Sequence, residues 1–356
     1  MKKKKAVNFG PKCMVTGSSG FLGRALTESL VEHGYTVHAL DVRPFPDKNR
    51  HVKSFTGDIR DYDTVLSAAE GCSTVFHCAA VMNFLGLSRQ SIRDEVFGIN
   101  VGGTENVVKA CVEAGVSRLV YTSSHNVCFD PGTVINGDES KPYAASYLDL
   151  YSETKTEAEK IVLSENGKHG LNTVALRPGG IWGPDKSCYM FSKFIDQLEK
   201  GKLVATIGDS GAIIDNTHVD NLVQAEIQAA SKLIESPEIV GGQAYFIMDE
   251  EPMNLMEWFR PLIEGLGYKM PDKSIPRFPM YWLAFLAECL YFAGGPRPFM
   301  TRLEVHNLTT KFTFRTDKAR RDLGYRPTIG NAKGMKECIN FYKKIINNNG
   351  AGSREK

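Results

Sequence analysis

Residues 13–23 read Cys13-Met14-Val15-Thr16-Gly17-Ser18-Ser19-Gly20-Phe21-Leu22-Gly23, and Arg24-Ala25-Leu26-Thr27-Glu28-Ser29-Leu30-Val31 follow. The apolar head suits a short buried strand, and the tail repeats apolar residues at helical spacing. Between them three glycines are spaced three and three (Gly17, Gly20, Gly23), one residue longer than the common Gly-x-Gly-x-x-Gly turn. Strand, glycine-rich turn and helix in that order cradle a phosphate. Glycines permit the tight turn and let a pyrophosphate approach the backbone, while the helix N-terminus offers unpaired N–H groups and a favourable dipole. On this reading Gly17, Ser19, Gly20, Phe21, Leu22 and Gly23 form a cofactor-binding turn. A glycine turn by itself also fits an ordinary strand-to-helix loop. The next landmark separates the two: an apolar strand over Tyr35–Leu40 ends on Asp41, 18 residues beyond Gly23, where a carboxylate holds a dinucleotide's ribose 2′-hydroxyl.

Bulk composition excludes several classes. The 356 residues are 42% hydrophobic and 24% charged, enough to bury a sizeable core, and a formal charge of +2 gives no reason to expect nucleic acid. Lys2–Lys5 form the only charge block and read as part of a solvated basic tail over residues 1–9. No apolar stretch follows these lysines as a secretory signal requires, so a cytoplasmic setting is expected. Eight cysteines are scattered without a Cys-x-x-Cys pair and read as reduced core residues. The eight histidines show no ligand spacing, and no metal is expected.

From residue 12 to about 180, strand-like and helix-like segments alternate, the pattern of an α/β doubly wound parallel sheet with helices on both faces. Val52–Thr56 leads into Gly57-Asp58-Ile59 and then a helix over 61–70; Asp58 either accepts from an adenine amino group or caps that helix. A strand at Thr74–Cys78 ends on Ala79-Ala80, small residues that leave room for a cofactor across the sheet edge. One helix is expected from about Ile92 to Ala114, carrying Asn100. Leu119–Thr122 is the fifth strand, with Ser123-Ser124 at its mouth, where ligands of open sheets bind. Tyr151 and Lys155 then stand four apart at the head of a helix and share one face. A phenol is a poor base at neutral pH; an ammonium nearby favours phenolate and gives a group able to exchange a proton with an alcohol or carbonyl.

The set Thr16–Gly23, Asp41, Gly57-Asp58-Ile59, Asn100…Gly103-Thr104, Ser124, Tyr151…Lys155 and Arg177–Pro184 closely resembles the extended short-chain dehydrogenase/reductases. Within them the chain is most similar to the 3β-hydroxysteroid dehydrogenase/isomerase family, particularly its 42E branch, over roughly residues 10–345. The resemblance implies a Rossmann domain over residues 10–185. It also implies a smaller C-terminal α/β substrate lobe, mainly 186–346, with segments returning to the first domain, and a homodimer built through the tyrosine helix and its neighbour. By family role Ser124 bonds the substrate oxygen, Tyr151 is the acid/base, and Lys155 binds the nicotinamide ribose while lowering the phenol pKa. Asn100 supports the active-site loops or simply bends or caps its helix. Asp58, Ile59, Ala79, Ala80 and Pro178 join the cofactor contacts.

Asp41 would accept from a 2′-hydroxyl and repel a 2′-phosphate, which favours NAD; Arg43 keeps NADP open. Just before Asp215–Leu222, the arginine that meets a diphosphate in sugar-nucleotide relatives is replaced by Ile214, which argues for an apolar substrate, against simple core packing. Pro279–Gly295 is the most apolar passage and is shorter than a bilayer span. A buried helix is the leading reading, beside an interfacial helix at the endoplasmic reticulum surface and a lid over a lipid site. Residues 347–356 are expected to be a disordered tail. The expected activity is hydride transfer between a sterol or steroid ring alcohol and NAD. Decarboxylating oxidation of a sterol 4-carboxylate and a non-catalytic dinucleotide-sensing module are the alternatives.

Overall fold

A computed structural model describes residues 12–352 apart from 129–131, 202 and 209–210, so the basic tail at 1–9 lies outside the described residues. Seven parallel strands make the main sheet: β1 (Lys12–Thr16), β2 (Thr36–Asp41), β3 (Val52–Thr56), β4 (Thr74–His77), β5 (Arg118–Thr122), β6 (Asn172–Pro178) and β7 (Gln243–Ile247). Their order is β3-β2-β1-β4-β5-β6-β7, so the chain reverses direction across the sheet between β1 and β4 and leaves a crevice at their C-terminal ends. Alternation along each strand serves two cores. Val15, Phe76, Val120 and Val174 meet helices α1 (Phe21–Glu32) and α7 (Val219–Glu235) on one face. Met14, Val75, Leu119, Tyr121 and Ala175 meet α2 (Tyr62–Ala69), α4 (Gly103–Glu113) and α5 (Leu150–Ser164) on the other.

The helix expected over 92–114 is present and widens in its middle. Between α3 (Gln90–Phe97) and α4 runs a π-helical turn, Gly98–Gly102. The wide turn carries Asn100 inward, where its side chain bonds partners outside the helix; π-bulges commonly mark such functional positions.

After β6 the chain departs into a lobe and comes back for α7 and β7. The lobe holds α6 (Tyr189–Glu199), α8 (Leu255–Gly265), α9 (Arg277–Phe292), α10 (Arg302–Thr309), α11 (Asn331–Gly352) and a small four-stranded sheet. Its core is an aromatic cluster of Trp182, Phe191, Trp258, Phe259 and Tyr342. Ile214 pairs in that small sheet with Met253 and Phe312 and, partly buried, packs against the same cluster.

Two expectations are corrected here. α11 continues through Gly352, into the stretch read as a disordered tail, because asparagines weaken a helix without stopping one already under way; residues 353–356 lie outside the described residues. The apolar passage at 279–295 is not buried as expected: α9 buries only Met280, Ala284 and Glu288, an i, i+4, i+8 stripe against α10. Glu288 sits in that stripe because Arg302 meets it at 2.9 Å. Phe278 is 73% exposed and Leu290 64%, and Trp282, Leu283 and Leu286 are exposed beside them. Among the described residues no helix is long and apolar enough to cross a membrane.

Candidate active site

The glycine turn closes on the sheet edge. Gly17 has φ +69°, and a Cβ there would stand 2.8 Å from the Ala79 Cα, so only glycine lets β1's turn abut the end of β4. A side chain at Gly23 would overlap the Gly17 carbonyl group. Gly20 starts α1 with no side-chain cap, which leaves the helix N–H groups for an anion. The buried Ser18 hydroxyl and the Ser123 hydroxyl at the mouth of β5 have no hydrogen-bond partner among the described residues. This edge therefore fits a dinucleotide.

Asp41 Oδ2 accepts from the Ser19 N–H (3.1 Å) and Oδ1 from the Arg43 N–H (3.0 Å), which fixes the end of β2 against the turn. Phe21 and Leu22 act as packing residues, with Leu22 buried beneath α1 and Phe21 against the same core. Asp58 is corrected on one count: Asp61, not Asp58, is the N-cap of α2, and the Asp58 carboxylate is held by Arg60 at 2.6 Å. Its pKa is lowered by that hydrogen bond. The Ile59 side chain is buried in the core against Gly103. Pro178 ends β6, and its carbonyl accepts from His125 Nδ1 (2.8 Å).

Asp149 caps α5, taking the Ser152 N–H at 2.9 Å, and so sets the start of the helix that carries the chemistry. Tyr151 lies in its first turn, packs edge-on against Phe84 at 5.4 Å, and its phenol bonds Ser124 across from the mouth of β5. Burial pushes the Tyr151 phenol up to about 12, opposed by the Ser124 hydrogen bond and reinforced by the Asp149 charge. Lys155 is 2% exposed; burial pulls its ammonium down to about 7, against the opposing pull of Cys78, Glu159 and Glu226. Its Nζ donates to the Thr122 carbonyl and lies 4.1 Å from the Tyr121 ring centroid. In this geometry the amine is engaged by the Thr122 carbonyl at the end of β5, one helical turn from Tyr151.

Asn100 acts on neighbours. Its Oδ1 accepts from the Val81 N–H (2.8 Å), and its Nδ2 donates to the Val81 carbonyl (3.0 Å) and to Thr154 Oγ1 (2.9 Å). It thus ties the loop after Ala79-Ala80 to the tyrosine helix and holds the crevice wall, a positioning role.

Sequence reading missed Thr122, Phe84, Glu226 and the ion pair of Glu159 with Arg177. The available signal was an acid inside an apolar helical stripe: Glu226 stands among Leu222, Val223, Ala225, Ala229 and Ala230, all buried. A second buried acidic cluster lies beside Gly179. Burial, with the Asp249 charge, pushes Asp215 up to about 8, and its Oδ1 has no partner among the described residues. Between pH 4 and 8 the folded chain retains a proton on Asp215 that the unfolded chain releases, so this group's contribution to stability falls as pH rises through that window and levels off above it. Asp215→Asn is accordingly expected to raise the melting temperature, and the gain should grow from pH 4 to pH 8, as thermal melts at several pH values would read.

Among the described residues no cluster of His, Cys, Asp or Glu is arranged to hold a metal. Residues 14–279 match the model of the 3-beta hydroxysteroid dehydrogenase/isomerase family. The 3 beta-hydroxysteroid dehydrogenase/Delta 5-->4-isomerase of Mycobacterium tuberculosis (strain ATCC 25618 / H37Rv) is 38% identical over 341 residues, covering 94% of this chain and 91% of that protein. The short-chain dehydrogenase/reductase family 42E member 1 of Mus musculus is 37% identical over 361 residues, covering 96% and 90%. Two solved structures share the fold. UDP-glucose 4-epimerase of Thermotoga maritima, with UDP-glucose, superposes with a TM-score of 0.74 at 20% identity, covering 94% of this chain and 99% of that one. MoeE5 in complex with UDP-glucuronic acid and NAD gives 0.70 at 25% identity, with the same coverage.

Proposed function

The chain belongs to the 3-beta hydroxysteroid dehydrogenase/isomerase family and is an oxidoreductase acting on a CH–OH group with a nicotinamide dinucleotide; we propose that its substrate is a sterol or steroid ring alcohol and its cofactor NAD. One observation carries the reading: Ser124 and Tyr151 bond each other at the mouth of β5, on the same sheet edge as the uncapped N-terminus of α1. The glycine turn and α1 would hold the pyrophosphate, and Asp41 the adenosine ribose. Its carboxylate disfavours a 2′-phosphate, which supports NAD over NADP. When bound, the dinucleotide supplies the hydride acceptor. Ser124 orients the substrate oxygen, and the Tyr151 oxygen takes the hydroxyl proton as the carbinol carbon is oxidised. The sterol class is supported by the relatives' names.

The test is a panel of sterols, bile acids, flavonoids and sugar nucleotides with NAD and with NADP, read as reduced-cofactor absorbance. Turnover of a 3β-hydroxysterol with NAD is expected. Activity only on sugar nucleotides would overturn the substrate class, and carbon dioxide release from a 4-carboxysterol would move the reading to the decarboxylating reaction.

The exposed face of α9 supports peripheral contact with a lipid surface: Phe278, Trp282, Leu286 and Leu290 recur at i, i+4 spacing, with exposed Arg277 at its head. Flotation with vesicles of mixed zwitterionic and anionic lipid should carry the chain upward, and Phe278→Ser with Leu290→Ser should abolish that movement without lowering turnover of a dispersed substrate. A homodimer through α4 and α5, in the cytoplasm, completes the reading.

A further inference from the structure

The ammonium of Lys155 is buried, and the groups around it are unequal. From the end of β4 it is faced by His77 and, just beyond the strand, Cys78, and from β5 by the Tyr121 ring and the Thr122 carbonyl. Tyr151 and Glu159 stand on its own helix, and Glu226 approaches from α7. His77 is neutral, because burial and the Lys155 charge pull it down to about 3. Cys78 and Tyr121 are likewise neutral, since burial raises both. Glu159 already has a cation, Arg177, which donates to both its oxygens. Glu226 is different. It is fully buried, its Oε1 accepts from Thr122 Oγ1 at 2.6 Å, and its Oε2 has no partner among the described residues. Burial raises its carboxyl to about 7, and the Thr122 hydroxyl and the Lys155 charge both oppose that rise.

A carboxyl with an unused oxygen in an apolar interior is costly unless its charge is used. Here it bonds the hydroxyl of the very residue whose carbonyl holds the lysine. We propose that Glu226 is a positioning residue of the active site: through Thr122 it fixes the end of β5, and it is the counter-charge of the Lys155 ammonium. Thr122 links the two, side chain to the acid and backbone to the amine, so helices on opposite faces of the sheet act on one catalytic group. Sequence reading assigned Lys155 the task of stabilising phenolate. The present geometry adds that the charge needed for that task depends on an acid more than 70 residues away in sequence. This inference rests on the proposed role of Lys155 and is tested without assuming it.

With ¹³C-labelled lysine, the Lys155 resonance, assigned from its loss in Lys155→Met, is followed by NMR against pH in the full chain and in Glu226→Gln. Removing an anion that favours the charged amine should lower the Lys155 titration midpoint by on the order of one unit. Where turnover is measurable, the alkaline limb of kcat/KM should move down by the same amount, while the KM for substrate stays put and Glu226→Asp restores part of the shift. Thr122→Val keeps the strand carbonyl and β-branched packing, and should move the midpoint in the same direction if Glu226→Gln fails to fold. An unchanged midpoint in these variants would overturn the inference. A shifted midpoint in a chain that oxidises no sterol would retain it and overturn the substrate reading instead.

Discussion

Tyr151→Phe is expected to lower kcat by about 10²–10⁴-fold, the range for removing a general acid/base, while NADH binding read by fluorescence stays almost intact. The substitution is clean because the ring's edge contact with Phe84 survives and only the hydroxyl, with its Ser124 bond, is lost. Folding stability should therefore change by about 1 kcal/mol, the scale of one hydrogen bond. The direction of pH dependence follows from the same environment. Burial holds the phenol near 12, so at neutral pH the base form is scarce, and alcohol oxidation should accelerate as pH rises until the Lys155 ammonium loses its proton. Carbonyl reduction needs the phenol as acid and gains nothing from the rise. Full activity in the phenylalanine variant would contradict Tyr151 as the base.

Most of what was legible in the sequence was local. The glycine turn, the strand ending on Asp41 and the Tyr151–Lys155 spacing each depend on neighbours within a few turns, and each landed where periodicity put it. What escaped depends on which distant segments meet. Nothing near Glu226 announces Thr122, and nothing near Asn100 announces Val81 or Thr154, because those bonds form only when strands order themselves as β1-β4-β5. Asp58 misled because an acid three residues ahead of a helix looks like a cap, yet Asp61 had the better position and Arg60 took the carboxylate. The exposure of α9 was hidden for a similar reason. Hydrophobicity alone does not say how many neighbours a helix will find, and α9 found mainly α10.

Glu159→Gln is expected to destabilise the fold by about 3–5 kcal/mol, lowering the melting temperature by on the order of 10 °C. Glu159 is fully buried on α5 and Arg177 nearly so on β6, and Arg177 Nε donates to both carboxylate oxygens at 3.1 Å. Tyr143 donates to the same carboxylate at 2.9 Å, and the guanidinium lies 5.4 Å from the rings of Tyr143 and Phe246. Removing one partner leaves a guanidinium in an apolar interior, and that uncompensated charge, more than the lost attraction, sets the cost. Glu159→Met combined with Arg177→Met takes out both charges and should recover much of the loss, as paired thermal melts would read. The same pair of variants separates the two acids that face Lys155. With Glu159 alone neutralised, Arg177 is left as a bare cation and should depress the Lys155 amine further. In the double variant that depression should vanish along with the instability. Among the described residues no cation other than Lys155 answers to Glu226 in this way, so a second substitution beside it has nothing to cancel, and the charge it lends can be replaced only by another acid at that position.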